Sequence, residues 1–346
     1  MTALAKSAFV RPILNIFGVP GLVGGASTKI RDLLRILRDR YRISFFIRDV
    51  AFLKDKSIVN FLEDIKVPMA RWSDFTGHPG ELALVICENE IFSSGMARRI
   101  KNAGLKLAWS NEMMWEFKGE AEAVKEGLID RVLFVSELQR AAFAKLYHGT
   151  DCRVIPNYIT PEDFTFVERS NSTFTIGRLS RPDPVKFPMD FPVFYEELGL
   201  NDVKFRVQAW SKELEKKFNW HRFDSRWERF APNQIPAAKF LQSLDLFVYP
   251  LGHQFIESWG RVVAEAMLTG CVPIVPAGHQ FHNIFRHGEH GFICKTFAEY
   301  RDAVHELHDH ASLRREMGRK AAEYARHELF DHEQHKRMWI DALTFN

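Results

Sequence analysis

Two glutamates eight positions apart, Glu257 and Glu265, stand in the segment ESWGRVVAEAMLTGCVPIV, which otherwise reads as a helix followed by a buried strand. Were the whole segment helical, that spacing would give about 12 Å of rise and about 80° of rotation. The two carboxylates would then not form a close pair but would hold two ends of something long. Between them lie the backbone N–H groups of Ser258, Trp259, Gly260, Arg261 and Val262, at an expected helix start, and such a terminus is a natural seat for phosphate. A carboxylate on each side of a phosphate site fits a ligand with hydroxyls at both ends and a diphosphate between them, which is the layout of a nucleotide sugar. The competing reading makes Glu257 a loop carboxylate favoured by the helix dipole and Glu265 a solvated helix residue. Glu265 lies between VVA and AM, however, and a carboxylate buried on an apolar helix needs a partner.

These residues need a scaffold, and the chain supplies strand-like apolar runs separated by amphipathic stretches. PILNIFGV, RISFFIRDV, LALVICENE, LKLAWS, RVLFVS and CRVIPN form a first series. After the polar stretch NYITPEDFTFVERSNS the pattern restarts with TFTIGRLS, VKFRVQAW, LDLFVYP, CVPIVP and GFICK. Alternation of this kind predicts parallel sheets covered by helices, an α/β class with two doubly wound domains. The expected boundaries are 1–160 and 165–325, with a C-terminal helix over 326–346 that could cross back to the first domain. Ligands of such sheets bind beyond the carboxyl ends of the strands. Glu257 follows LDLFVYP, Gly260 and Arg261 begin the helix, and Gly270 is placed to end it before CVPIVP.

At 346 residues the chain can bury a sizeable interior. Its 46% hydrophobic and 26% charged residues, with 30 phenylalanines, describe an ordinary folded protein. A net charge of +3 suits anionic small molecules and falls short of a nucleic-acid footprint, so no nucleic-acid partner is expected. Cys87, Cys152, Cys271 and Cys294 make no C-x-x-C pair and imply a reducing compartment. The N-terminal stretch has no long apolar run, and no window approaches a membrane span. A cytoplasmic location is therefore expected. Lys29, Arg31, Arg35, Arg38 and Arg40 follow Gly24 and Gly25 on one predicted helix. They form either a solvated basic face or a docking face for anionic lipid at the inner membrane surface.

ESWGRVVAEAM with the following VPIV resembles the E-x7-E motif of the retaining glycosyltransferases of family 4, whose GT-B fold has two facing Rossmann-like domains and an interdomain cleft. GLVGGASTKI, FVSELQRAAF, VIPN, GRLS and RHGEHGF resemble that family's other motifs in order, so the resemblance covers most of the chain. It implies a nucleotide-sugar donor in the second domain, a hydroxyl acceptor in the first, and transfer of a hexose-type sugar with retention. Glu265 would take the ribose hydroxyls and Glu257 the donor sugar, while the amides of Ser258 to Val262 would hold the diphosphate. Arg178 of GRLS would neutralise the phosphates as the nucleotide leaves; a surface salt bridge is its alternative. The family's lysine follows that arginine by five or six residues. Here Lys186 lies eight on, across Pro182 and Pro184, so either Lys186 or Arg181 fills the place. Gly24 and Gly25 would let backbone approach the diphosphate.

A histidine common in the family has no counterpart in LKLAWSNEMMWEF. Asn111 and Glu112 occupy the neighbourhood, and Glu112 could act as base toward an acceptor hydroxyl. Trp109, Met113, Met114, Trp115 and Phe117 make that side apolar, as an acceptor surface or as core. Phe230 to Asn233 stands where relatives often contact the base. Ten of fourteen histidines fall between His279 and His335, yet no complete tetrahedral set and no D-x-D is evident, so neither metal nor other cofactor is expected. Two rivals share the architecture: a sugar phosphorylase or epimerase, and a non-catalytic nucleotide-sugar-binding module.

Overall fold

The structure, a computed structural model, describes residues 11–21, 24–169 and 173–345. The start of the N-terminal stretch, Leu22 and Val23 of the glycine loop, and the end of the polar stretch before TFTIGRLS lie outside the described residues. Two units divide the chain: Met1–Pro156 with His332–Asn346, and Asn157–Asp331.

In the first unit the strands are β1 (Ile13–Phe17), β2 (Arg42–Ile47), β3 (Met69–Arg71), β4 (Leu82–Ile86), β5 (Lys106–Ser110), β6 (Arg131–Phe134) and β7 (Asp151–Val154). They form one parallel sheet in the order β3-β2-β1-β4-β5-β6-β7. The helices are α1 (Gly25–Leu37), α2 (Lys56–Asp64), α3 (Met96–Asn102), α4 (Glu120–Lys125), α5 (Glu137–Ala142) and, from the chain's end, α12 (His332–Ala342). Because helices cover both faces, the inner strands are apolar throughout rather than alternating. β4 and β6, for example, are buried almost from end to end. The last turn of the chain is tied to the sheet by Arg131, whose guanidinium donates to the carbonyls of Ala342 at 2.7 Å and Thr344 at 2.9 Å.

In the second unit β8 (Phe174–Leu179), β9 (Val203–Gln208), β10 (Trp227–Phe230), β11 (Leu246–Val248), β12 (Val272–Pro276) and β13 (Phe292–Cys294) form a parallel sheet in the order β10-β9-β8-β11-β12-β13. Its helices are α6 (Phe191–Glu196), α7 (Lys212–Lys217), α8 (Ala237–Gln242), α9 (Arg261–Leu268), α10 (Phe297–Asp309) and α11 (Ala311–Tyr324). Phe187, Phe191, Tyr195, Phe205, Phe218 and Trp227 fill one face with edge-on and tilted ring pairs, which is where much of the phenylalanine content goes. Strand order reverses between β1 and β4 in the first sheet and between β8 and β11 in the second. Those reversals open a crevice at the carboxyl ends of the strands.

β3 and β10 escape the sequence reading because each is a terminal strand of its sheet, short and partly polar. The basic residues after Gly25 divide: Lys29 is buried, and Arg31 lies 3.8 Å from the Phe61 ring while donating to the Pro20 and Ser57 carbonyls, whereas Arg35 is half-buried and Arg38 and Arg40 are exposed. The helix carries its apolar stripe inward on most sides, so long basic stems lie along apolar surface. Among the described residues no helix is long and apolar enough to cross a membrane.

α11 packs on the turn between α9 and β12 with no room to spare. A Cβ on Gly318 would lie 2.3 Å from the carbonyl oxygen of Gly270, a backbone atom that cannot swing away. Gly270 itself has φ +82°, the left-handed conformation that ends α9. Gly318→Ala is expected to cost about 1–3 kcal/mol of stability by overpacking, read as a lower urea midpoint with an unchanged m-value.

Candidate active site

In the second unit, the loops leaving β8 and β11 flank the reversal of strand order, and they carry Lys186 and Glu257. The ammonium of Lys186 meets the Glu257 carboxylate at 2.9 Å, and the Tyr249 hydroxyl donates to the same oxygen at 3.1 Å. Both Lys186 and Glu257 are more than nine-tenths buried. Burial alone would raise the Glu257 carboxyl, but the Lys186 ammonium and the Tyr249 hydroxyl outweigh it and hold the group below the usual carboxylate range. Burial lowers the Lys186 ammonium against the pull of Glu257.

Four devices place Lys186. A short 3₁₀ turn at Pro184–Lys186 is begun by the Asp183 side chain, which accepts from the Val185 N–H at 3.1 Å. Lys217, at the end of α7, donates to the carbonyls of Pro184 and Phe187, both at 2.6 Å. Gly252 donates its N–H to the Lys186 carbonyl at 3.2 Å, and a Cβ there would strike the Val185 oxygen at 2.3 Å. The fourth is Arg178. Its guanidinium is wholly buried, donates to Pro250 O at 2.7 Å, touches Lys186 O at 3.4 Å and lies 3.9 Å from the Phe187 ring. Thus Arg178, assigned by resemblance to the phosphates, stands behind the two loops with its charge enclosed by carbonyls and rings. Arg181, the other candidate for the lysine's place, is part-exposed and 4.0 Å from Asp183.

α9 begins at Gly260, with φ +94° and no side-chain cap. A Cβ on Gly260 would meet the Phe281 ring at 2.5 Å, so only glycine fits. Glu265 is buried on α9 and paired one turn back with Arg261 at 2.8 Å, while Arg261 also donates to Tyr158 O at 3.0 Å. That answers the question of Glu265's partner, and the i, i+4 spacing of Arg261 and Glu265 was the signal that could have found it. Glu257 and Glu265 are therefore separate, each with its own cation. The Trp259 ring is buried near Phe330, and Val262 follows Arg261 in the first turn of the helix.

The histidines after β12 serve their own loops. His279 Nδ1 accepts the Glu257 N–H at 3.2 Å, and His287 Nδ1 accepts that of Ile293 at 3.0 Å. His290 stacks on Tyr324 at 4.4 Å. Among the described residues no group of His, Cys, Asp and Glu could hold a metal ion.

In the first unit, Gly24 caps α1 with φ +87°, its carbonyl accepting from Thr28, and Gly25 is the first residue of the helix. Glu112 is buried and ion-paired with Lys29 at 2.6 Å, with Ser110 Oγ donating to the same oxygen at 2.6 Å. Asn111 braces its loop, donating to Trp115 O at 3.2 Å and accepting from the Met113 N–H at 2.8 Å. Glu120, which the sequence reading passed over, is fully buried and accepts from Trp109 Nε1 at 2.7 Å, Phe117 N at 2.6 Å, Asn111 and the Tyr147 hydroxyl. Burial raises its carboxyl despite these donors. Glu88, just beyond β4, was also missed; burial raises it too, and it stands 3.6 Å from Arg48. Of the apolar residues of this region, Trp109 is core and Phe117 packs edge-on against it, whereas Trp115 is exposed.

Comparisons with known proteins bear on the same elements. Residues 199–326 match the model of a family described as "Glycosyl transferases group 1". No curated protein sequence matches the chain. Among solved structures, it is similar to the Anabaena protein HepE in complex with UDP and glucose, at 17% identity over 96% of this chain and 99% of that one, with a TM-score of 0.75. A glycosyltransferase from Rickettsia africae is 10% identical over 96% and 97% of the two chains, with a TM-score of 0.74. Sucrose-phosphate synthase from Thermosynechococcus elongatus is 13% identical over 96% and 98%, with a TM-score of 0.70. The chain thus has the GT-B type of α/β fold, with two sheets of parallel strands, that these structures share.

Proposed function

We propose that the chain is a glycosyltransferase that moves a hexose-type sugar from a nucleoside diphosphate to a hydroxyl acceptor, with retention at the anomeric carbon and without a metal. The observation that carries this reading is the Lys186–Glu257–Tyr249 cluster at the strand-order reversal, beside the uncapped start of α9. Similarity to structures solved with UDP and with UDP-glucose supports a donor of that class.

The roles follow from charge. A diphosphate seated at the amides of Ser258 to Val262 gains from the helix terminus. Lys186, within reach of the same place, exchanges its carboxylate for phosphate and so releases Glu257 to accept sugar hydroxyls. Glu265, oriented by Arg261, takes the ribose diol. Arg178 acts by fixing the Lys186 and Glu257 loops and by adding a buried positive charge behind the leaving group. On the acceptor side Asn111 shapes the loop after β5, and Glu112, paired with Lys29, takes the acceptor's hydroxyl hydrogen bond. The departing phosphate removes the acceptor proton on the face it leaves, so no enzymic nucleophile is required. For peripheral attachment to an anionic membrane, Lys29 is internal and Arg31 lies on Phe61, which leaves Arg35, Arg38 and Arg40 as the residues that would carry it.

Thermal unfolding with UDP, GDP, ADP, TDP and CDP sugars tests the donor assignment. The matching donor at 100 times its dissociation constant should add about 2.7 kcal/mol to the wild type, and much less to Glu265→Ala. Turnover of that donor with a hydroxyl acceptor should disappear in Glu257→Gln, with the anomeric configuration of the product read by NMR. Failure of every nucleotide to stabilise the wild type overturns the proposal.

The ion pair makes a separate prediction. Lys186→Met leaves a buried carboxylate without its cation and should cost about 3 kcal/mol at neutral pH. In the wild type Glu257 is held below its unfolded value, near about 4.3, so its contribution is present above that pH and is lost as pH falls through the folded value. In the variant burial raises the carboxyl instead, so the deficit shrinks as pH falls. The double variant Lys186→Met/Glu257→Gln should recover most of the loss, as denaturant melts between pH 4 and 8 would read.

A further inference from the structure

His279 lies three residues past the end of β12, and its Nδ1 accepts the backbone N–H of Glu257 at 3.2 Å. A ring nitrogen that accepts an N–H must be unprotonated, so the ring hydrogen sits on Nε2 and the imidazole is neutral. Protonation turns Nδ1 into a donor and breaks this bond. The ring also packs at 5.6 Å from Phe281, and Phe281 fills the space where Gly260 lacks a Cβ. His279, Phe281, Gly260 and Glu257 therefore pack together, and the hydrogen bond to His279 ties the Glu257 main chain to the loop after β12.

We propose that His279 is a positioning residue that sets where the Glu257 carboxylate meets the donor sugar, so that the site distinguishes a nucleotide sugar from the bare nucleotide only while the imidazole is neutral. The proposal rests on the donor reading given above. The charged group that acts on the ring is the Glu257 carboxylate, which is itself paired with Lys186 from the loop after β8 and hydrogen-bonded by Tyr249 from the end of β11. Burial lowers the imidazole below its ordinary value, against the opposing pull of Glu257. The neutral form is thereby kept at physiological pH, and the anchor is lost only as the solution becomes acidic.

Asparagine at 279 offers Oδ1 where Nδ1 stands and does not titrate, whereas alanine offers nothing. Calorimetric binding of UDP and UDP-glucose between pH 5 and 8 should show that the wild type's gain for UDP-glucose over UDP shrinks as the imidazole protonates. In His279→Ala the gain should lie about tenfold below that of the wild type at pH 8 and show no acid limb, with UDP binding unchanged. In His279→Asn it should persist with no acid limb. Nitrogen NMR of the wild-type ring should show the Nε2–H tautomer and a midpoint below 6.5. An alanine variant with the full gain, an asparagine variant with the wild-type acid limb, or an Nδ1–H tautomer each overturns the proposal. Binding of neither ligand by wild type overturns a uridine donor rather than the His279 anchor, which the ring's tautomer then decides by itself.

Discussion

Arg178 is a permanent charge with no access to water, and the second unit is arranged around that constraint. A guanidinium cannot escape the penalty of burial by losing its proton, so it must be surrounded by acceptors and polarizable surface. Pro250 O and Lys186 O supply the acceptors, one on the loop after β11 and one on the loop after β8. Phe187, Tyr249 and Phe191 supply rings at 3.9, 4.6 and 5.3 Å. The arginine thus ties together the two loops that leave the sheet on either side of its reversal, and the same loops present Lys186 and Glu257. A neutral residue would remove the reason for these carbonyls to converge.

The lengthened loop after β8 follows from this tie. Two prolines lengthen the path from β8 to Lys186 and remove two backbone donors, so the loop's own backbone hydrogen bonds centre on the short turn begun at Asp183. Lys217 on α7, Gly252 and Arg178 hold it from outside by taking the carbonyls of Pro184, Lys186 and Phe187. The ammonium that meets Glu257 is thus carried on a backbone fixed from several sides, so its position is set by the loop rather than by the ion pair alone.

Much of this was legible in the sequence, and the rest was not for identifiable reasons. Apolar runs gave the inner strands because a strand buried on both faces has no polar positions to confuse its pattern, whereas β3 and β10, at the sheet edges, mix exposed with buried residues. The span of α9 was readable from Gly260 and Gly270, each glycine demanded by a left-handed turn. The distance from Arg178 to Lys186 in sequence left open whether the lysine could reach; only the fold, by bending the loop over Lys217, brings it to Glu257. The histidine run, His279 included, pointed to no metal site in the sequence and to no other role either, because spacing alone does not tell which backbone group an imidazole nitrogen meets. Lys29 looked like a surface residue because charge patterning cannot see Glu112, which approaches from a strand end eighty-three positions away.

The first unit applies the opposite electrostatic solution. Glu120 is fully buried yet answered by Trp109, Asn111, Phe117 and Tyr147 rather than by a cation. Four neutral donors do not cancel its charge, and burial therefore prevails in raising the carboxyl. They do fix its position, and through Asn111 and Phe117 they fix both ends of the segment that carries Met113, Met114 and Trp115. Gln139 completes the frame by donating to Asn111 O at 2.6 Å and Met113 O at 2.8 Å. With the Asn111, Met113 and Trp115 carbonyls and the Met113 and Phe117 amides taken up by side chains of the same unit, the loop that carries the exposed ring of Trp115 is braced at both ends by hydrogen bonds, beside the buried ion pair of Lys29 with Glu112.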